Sequence, residues 1–194
     1  MKRIAIFASG SGTNAENIIK YFENSEEITV SKVYCNKKDA GVFDRCKRLN
    51  VPCVWFSREA FYDSSRVLYD VQLHADFVVL AGFLWRIPQD FVNAFLHRMM
   101  NIHPALLPKY GGKGMYGMHV HRAVKENAES ETGITIHYVN ERYDEGAIIF
   151  QAKTTISSSD TAEDIAHKIH QLEYAHFPRV IEKEIQKATS TGSV

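Results

Sequence analysis

The stretch Asn101-Ile102-His103-Pro104-Ala105-Leu106-Leu107-Pro108 follows the apolar Met99-Met100 and brings an amide, an imidazole and two prolines together. An apolar run that stops abruptly in polar residues is the pattern of a buried strand delivering side chains to a cleft. On an extended chain Asn101 and His103 project from one face and Ile102 from the other, into the core. Pro104 keeps His103 out of helical backbone and leaves the ring at a strand end. The result is a pair of donors. Catalysis is one reading of it, and a hydrogen-bonded loop histidine is the other.

A second candidate lies at the start. Arg3–Ala8 reads as a strand, Ser9-Gly10-Ser11-Gly12-Thr13-Asn14 as a glycine-rich turn, and Ala15–Phe22 as a helix. Strand, turn and helix start collect backbone N–H groups and a helix dipole at one point, which suits a phosphate. Gly10, Gly12 and Ala15 also satisfy a dinucleotide pattern. That reading wants an acidic residue after the second strand, Thr29–Cys35, where Asn36-Lys37-Lys38 stands instead, so a terminal phosphomonoester fits better. A third candidate is Phe83-Leu84-Trp85-Arg86-Ile87-Pro88, an unusually apolar loop after the continuous apolar run Asp76–Gly82. It suggests a pocket for a flat apolar ligand, or side chains packed under neighbouring helices.

The remaining elements alternate. Gly41–Asn50 reads as a short helix, Pro52–Phe56 as a strand, and Ser57 as the cap of a helix broken near Asp63-Ser64-Ser65 and ending at His74. Gln89–His97 and His121–Asn127 are helical, and Lys109–His121 includes a loop with four glycines. Gly133–Val139 and Ala147–Ile156 form an antiparallel strand pair around the polar turn 140–146, and Ser159–Asp164 caps a long helix through Lys183. This is a doubly wound, mostly parallel α/β sheet, Rossmann-like, with an antiparallel pair near the C-terminal part and a long C-terminal helix. Residues 1–188 are expected as one domain and 189–194 as a disordered polar tail. Ligands bind such sheets at the carboxyl ends of strands, so the three candidates can share one cleft.

Composition narrows the class. In 194 residues, 45% are hydrophobic and 23 basic side chains balance 23 acidic ones, as in an ordinary soluble domain with neither nucleic acid nor membrane as its main partner. Cys35, Cys46 and Cys53 have no ligand-type spacing, and the N-terminal apolar run is too short for a signal peptide, which together point to a cytoplasmic setting. His103, His119, His121 and His137 could supply a three-histidine metal site but lack its spacing, so no metal is expected. Without a G-x-S-x-G elbow or a cysteine near the histidines, non-covalent transfer to an external nucleophile remains.

The stretch from Asn101 to Pro108 resembles the N-x-H-P-S-L-L-P signature of the folate-dependent formyltransferases, and Arg142-Tyr143-Asp144-Glu145-Gly146 is similar to their D-x-G loop. Ser9–Asn14, Val79–Phe83 and Leu172–Pro178 resemble the branch that formylates phosphoribosylglycinamide in purine synthesis, and the likeness runs from about Lys2 to about Lys183. It implies transfer of the formyl group of 10-formyltetrahydrofolate, as co-substrate, to the glycine amine. Asn101 and His103 would stabilise the oxyanion, and Asp144 would hold His103 charged and help relay the amine proton. The substrate phosphate would lie on Gly12, Thr13 and Asn14, with its amine near Glu173. The formyl-folate would contact Arg58, Leu84, Trp85, Arg86, Ile87 and Asn101, and His137 would have a supporting role. The likeness also suggests a cis bond at Leu107-Pro108. Small-molecule partners and a monomer or homodimer follow. Ala105 stands where the signature often has Ser, Gly111–Met118 is longer than usual, and Leu84-Trp85-Arg86 replaces a common Met-Arg-Ile. A formyltetrahydrofolate deformylase, another folate-dependent formyltransferase or a non-enzymatic nucleotide-binding module are the alternatives.

Overall fold

The computed structural model of the chain describes residues 1–192. A seven-stranded sheet forms its centre, in the order β3-β2-β1-β4-β5-β6-β7. The strands are β1 (Lys2–Ala8), β2 (Ile28–Cys35), β3 (Cys53–Trp55), β4 (Phe77–Leu80), β5 (Met99–His103), β6 (Glu131–Tyr138) and β7 (Ile148–Thr155). The first five pair in parallel, and β6 runs antiparallel to both β5 and β7. The expected doubly wound sheet and its antiparallel pair are therefore present.

Alternation along the central strands divides the core in two. Ile4, Ile6 and Ala8 of β1 face helices α1 (Thr13–Phe22), α2 (Val42–Arg48), α6 (Met118–Glu126) and α7 (Ala162–Ser190). Ala5 and Phe7 face α3 (Arg58–Tyr62), α4 (Arg66–His74) and α5 (Gln89–Ala94). Each layer hides the apolar stripe of its helices, which is what holds a parallel sheet buried on both sides. The second layer is aromatic. The ring of Phe7 lies 5.0 Å from Tyr34, 5.3 Å from Phe83, 5.8 Å from Phe56 and 5.9 Å from Phe91.

Helix ends follow the side chains that cap them. Ser57 Oγ accepts from the Ala60 N–H and starts α3, and Thr161 with Asp164 forms a capping box at the start of α7. α7 continues seven residues beyond Lys183 and carries Pro178 inside it. A proline there cannot supply the N–H that the Tyr174 carbonyl would accept. Asn17 Nδ2 of α1 supplies a donor instead, at 3.1 Å, so the missing helical bond becomes a tie between the first and last helices. Thr189 and Ser190 belong to α7; the end of the expected tail, residues 193–194, lies outside the described residues.

Candidate active site

The order of the strands changes direction between β1 and β4, and the loops that follow these two strands are stitched together. Ser9 N donates to the Gly82 carbonyl at 3.1 Å, and Leu84 N donates to Ser9 Oγ at 3.0 Å. Beside them opens a cavity of about 610 Å³, lined by Gly10–Asn14, Ala81–Leu84, Asn101–Pro104, Gly112–Gly117, Tyr143, Asp144 and Glu173 among others. A smaller cavity of about 60 Å³ lies against Phe83, Trp85, Arg86, Ile87, Asn140 and Tyr143. Asn101 and Asp144 line both cavities. The expected common cleft is real, and its polar residues stand in the partition between two chambers.

The glycine turn opens toward the larger chamber. Gly12 has φ 76°, and a Cβ there would stand 2.5 Å from Val42 Cγ2, so both conformation and space demand glycine. The start of α1 has no side-chain cap. Asn14 Nδ2 donates to Glu173 Oε2 at 2.8 Å across the chamber wall. Burial pushes the Glu173 carboxyl up to about 7, against the lowering effect of that hydrogen bond. A carboxyl that holds its proton more tightly when folded makes the protein lose stability as pH rises from the ordinary value of 4.5 to about 7, and no further above that. Glu173→Gln, which keeps an acceptor for Asn14, is expected to raise the melting temperature at pH 8 and leave it unchanged at pH 4.5. Equal shifts at both pH values in a thermal melt would contradict this.

The centre of the site is Asp144. Its backbone has φ 57°, and Gly146 brings the same turn against β6 so closely that a Cβ would overlap the Tyr138 carbonyl. Asp144 Oδ2 accepts from the Gly112 N–H at 2.9 Å and lies 3.5 Å from His103 Nδ1. Oδ1 accepts from Asn101 Nδ2 at 3.4 Å and lies 3.6 Å from His137 Nε2. Burial raises the Asp144 carboxyl, but His137, His103 and the Gly112 N–H outweigh it and hold it below its ordinary value. Asp144 is therefore a carboxylate at neutral pH.

Carbonyl partners fix the proton positions of both rings, because a carbonyl can only accept. His137 Nδ1–H donates to the Tyr138 carbonyl at 2.8 Å, and Nε2 lies 3.1 Å from Asn101 Nδ2. His103 Nε2–H donates to the Tyr110 carbonyl at 2.7 Å, so Nδ1 faces Asp144. The expectation that Asp144 holds His103 charged needs correction. The carboxylate and the Tyr110 carbonyl do raise the ring, but burial, at 3% exposure, is the larger effect and brings it below its ordinary value.

The other expected residues divide between the chambers. Leu84 lines the larger one, whereas Trp85, Arg86 and Ile87 line the smaller. Arg58 lines neither; its guanidinium stacks 4.7 Å from the Tyr62 ring and 5.6 Å from Trp85, at the mouth of the aromatic layer. His121, considered from sequence only as a metal ligand, is a buried wall of the larger chamber, where desolvation lowers it to about 4 and keeps it neutral. Leu107-Pro108 is cis. Among the described residues no group of three or more His, Cys, Asp or Glu could hold a metal ion. Sequence reasoning missed the contacts of Tyr110 and Gly112. His137, expected in a supporting role, stands opposite Asn101 through the β5–β6 register.

A sequence profile described as formyl transferase matches residues 2–181. A chloroplastic phosphoribosylglycinamide formyltransferase of Arabidopsis thaliana is 38% identical over 187 residues, covering 93% of this chain and 64% of the relative. The enzyme of the same name from Escherichia coli K12 is 34% identical, covering 92% of this chain and 84% of the relative. The chain thus spans less than two thirds of the Arabidopsis protein. The crystal structure of phosphoribosylglycinamide formyltransferase from Bacillus halodurans superposes with a TM-score of 0.85 at 35% identity, covering 96% of this chain and 97% of that one.

Proposed function

The chain belongs to the formyl transferase family, and on that premise we propose that it transfers the formyl group of 10-formyltetrahydrofolate to the glycine amine of phosphoribosylglycinamide, a step of purine biosynthesis. The observation that carries this reading is the partition: Asn101 and Asp144 are shared by a chamber with a phosphate-type loop and a chamber with an aromatic wall. Two substrates entering from opposite sides would meet there.

The uncapped start of α1, with Gly12, Thr13 and Asn14, takes the phosphate. Glu173, hydrogen-bonded to Asn14, lines the same chamber and receives the amine substrate beside that seat. The smaller chamber fits the chemistry of a flat heterocycle, with Phe83, Trp85 and Ile87 for its faces and Asn140 and Arg86 for its edges. Arg142 and Tyr143 of the neighbouring turn stand along the same chamber. The formyl-folate supplies an activated one-carbon group. Arg58, stacked at the edge of that wall, offers charge to an acidic end of the molecule.

Attack of the amine on the formyl carbon converts its carbonyl oxygen into an oxyanion and its nitrogen into an ammonium. Asn101 Nδ2 is the donor for the oxyanion, which replaces Asp144 Oδ1 at the long 3.4 Å contact. His103 enters the reaction neutral, with Nδ1 unprotonated beside a carboxylate. Nδ1 therefore accepts the ammonium proton, Asp144 stabilises the imidazolium, and the same proton passes to the leaving nitrogen as its bond to carbon breaks. No covalent intermediate with the protein is needed.

The test is to incubate the protein with 10-formyltetrahydrofolate and phosphoribosylglycinamide and follow tetrahydrofolate absorbance. Turnover that requires the amine is the expected result. Formate release without the amine would identify a deformylase, and turnover only with another amine would replace the acceptor.

A further inference from the structure

We propose that Tyr110 and Glu129 are positioning residues for formyl transfer, acting through the backbone of residues 110–112, which grips the His103–Asp144 pair from both sides. This rests on the activity proposed above. On one side the Tyr110 carbonyl accepts from His103 Nε2 at 2.7 Å. On the other, the Gly112 N–H donates to Asp144 Oδ2 at 2.9 Å. Two peptide units of one loop thus fix the tautomer of the base and the oxygen of its partner.

The grip has its own anchor. Tyr110 sits at φ 57°, in the left-handed region that bulky side chains disfavour, so other contacts must hold it there. Its hydroxyl donates to Glu129 Oε1 at 2.8 Å, beyond the end of α6, and Lys109 Nζ pairs with the same oxygen at 2.9 Å. The Lys109 side chain is largely exposed and contributes little to that hold. The direction of the Tyr110 carbonyl depends on the backbone dihedrals that the ring anchor maintains. Gly111 allows the close approach, since a Cβ there would lie 2.6 Å from Leu107 Cδ2 and 3.4 Å from Asp144 Cβ. The groups facing His103 are then the Tyr110 carbonyl, Asp144, His137 and His121, and the loop anchored at Glu129 carries the first and holds the second.

The variants are Tyr110→Phe, Glu129→Ala and Glu129→Gln in the full chain. Tyr110→Phe and Glu129→Ala are expected to lower kcat about tenfold, as a small misplacement of reacting groups does, with KM for both substrates within about twofold. Glu129→Gln, which still accepts from the hydroxyl, restores most of kcat. Nitrogen-15 spectra of the imidazoles give a readout independent of substrate: wild type shows His103 as the Nε2–H tautomer, and Tyr110→Phe and Glu129→Ala show a mixture. Loss of melting temperature with unchanged kcat and an unchanged His103 spectrum would overturn the proposal. If wild type does not turn over phosphoribosylglycinamide, the activity reading fails by itself, and the spectra alone decide whether Glu129 controls His103.

Discussion

His103→Ala is expected to lower kcat by about 10²–10⁴, the usual worth of a positioned general acid–base group, while KM for either substrate changes within about threefold. Its ring supplies the Nδ1 that faces Asp144 at 3.5 Å. His137 cannot substitute, since its Nδ1–H is committed to the Tyr138 carbonyl and its Nε2 to Asn101. Asn101→Ala acts on the oxyanion instead and should cost about 10²–10³. The two losses differ in pH dependence: the Asn101 variant keeps the acid limb set by His103, and the His103 variant loses it. Steady-state kinetics across pH 5–9 separate the two. A His103 variant within tenfold of wild type in kcat, with KM raised instead, would assign the ring to binding.

Phe7→Ala should give the largest loss of stability among single substitutions that leave the chemistry intact. The ring is fully buried, and its removal from a packed core costs about 3–5 kcal/mol, or roughly 10 °C of melting temperature in a chain of this size. Its position gives the loss a functional direction. Phe83, 5.3 Å from Phe7, lines both chambers, and Trp85 packs against Phe83 at 6.3 Å. The cavity left behind loosens the aromatic wall, so KM for the formyl donor rises more than KM for the amine. Phe22→Ala, in the opposite layer, serves as the control. It should destabilise comparably without that asymmetry, as measured by thermal melts and paired KM determinations. Equal KM effects from both variants would show that the wall is not specific to the donor.

Much of this was readable from residue order alone. Ile4 and Ile6 alternate with Ala5 and Phe7, so the central strand and its two layers follow from period two. Ser9–Asn14 and Asn101–His103 announce the ends of strands because polar residues and glycine or proline break apolar runs there. What escaped was set by register and burial. His137 meets Asn101 only through an antiparallel pairing between strands separated by two prolines, a glycine loop and a helix. The state of His103 is decided by how completely the ring is enclosed, which no local pattern encodes. The helix expected through Lys183 does run through Pro178, and residue order gives no sign that a side chain from α1 answers the freed carbonyl.

The bond between Asn14 and Glu173 spans 159 positions of the chain. During synthesis the phosphate-type loop emerges early, whereas the wall opposite it belongs to the last helix. At about 5–20 residues per second the ribosome holds a half-built chamber for many seconds, its apolar strands paired but the seat for Glu173 open. Such distant closure slows folding, because loop entropy is spent before the contact rewards it. Substrate present during translation would therefore meet the phosphate-type loop without its facing wall, and the complete chamber exists only once α7 docks.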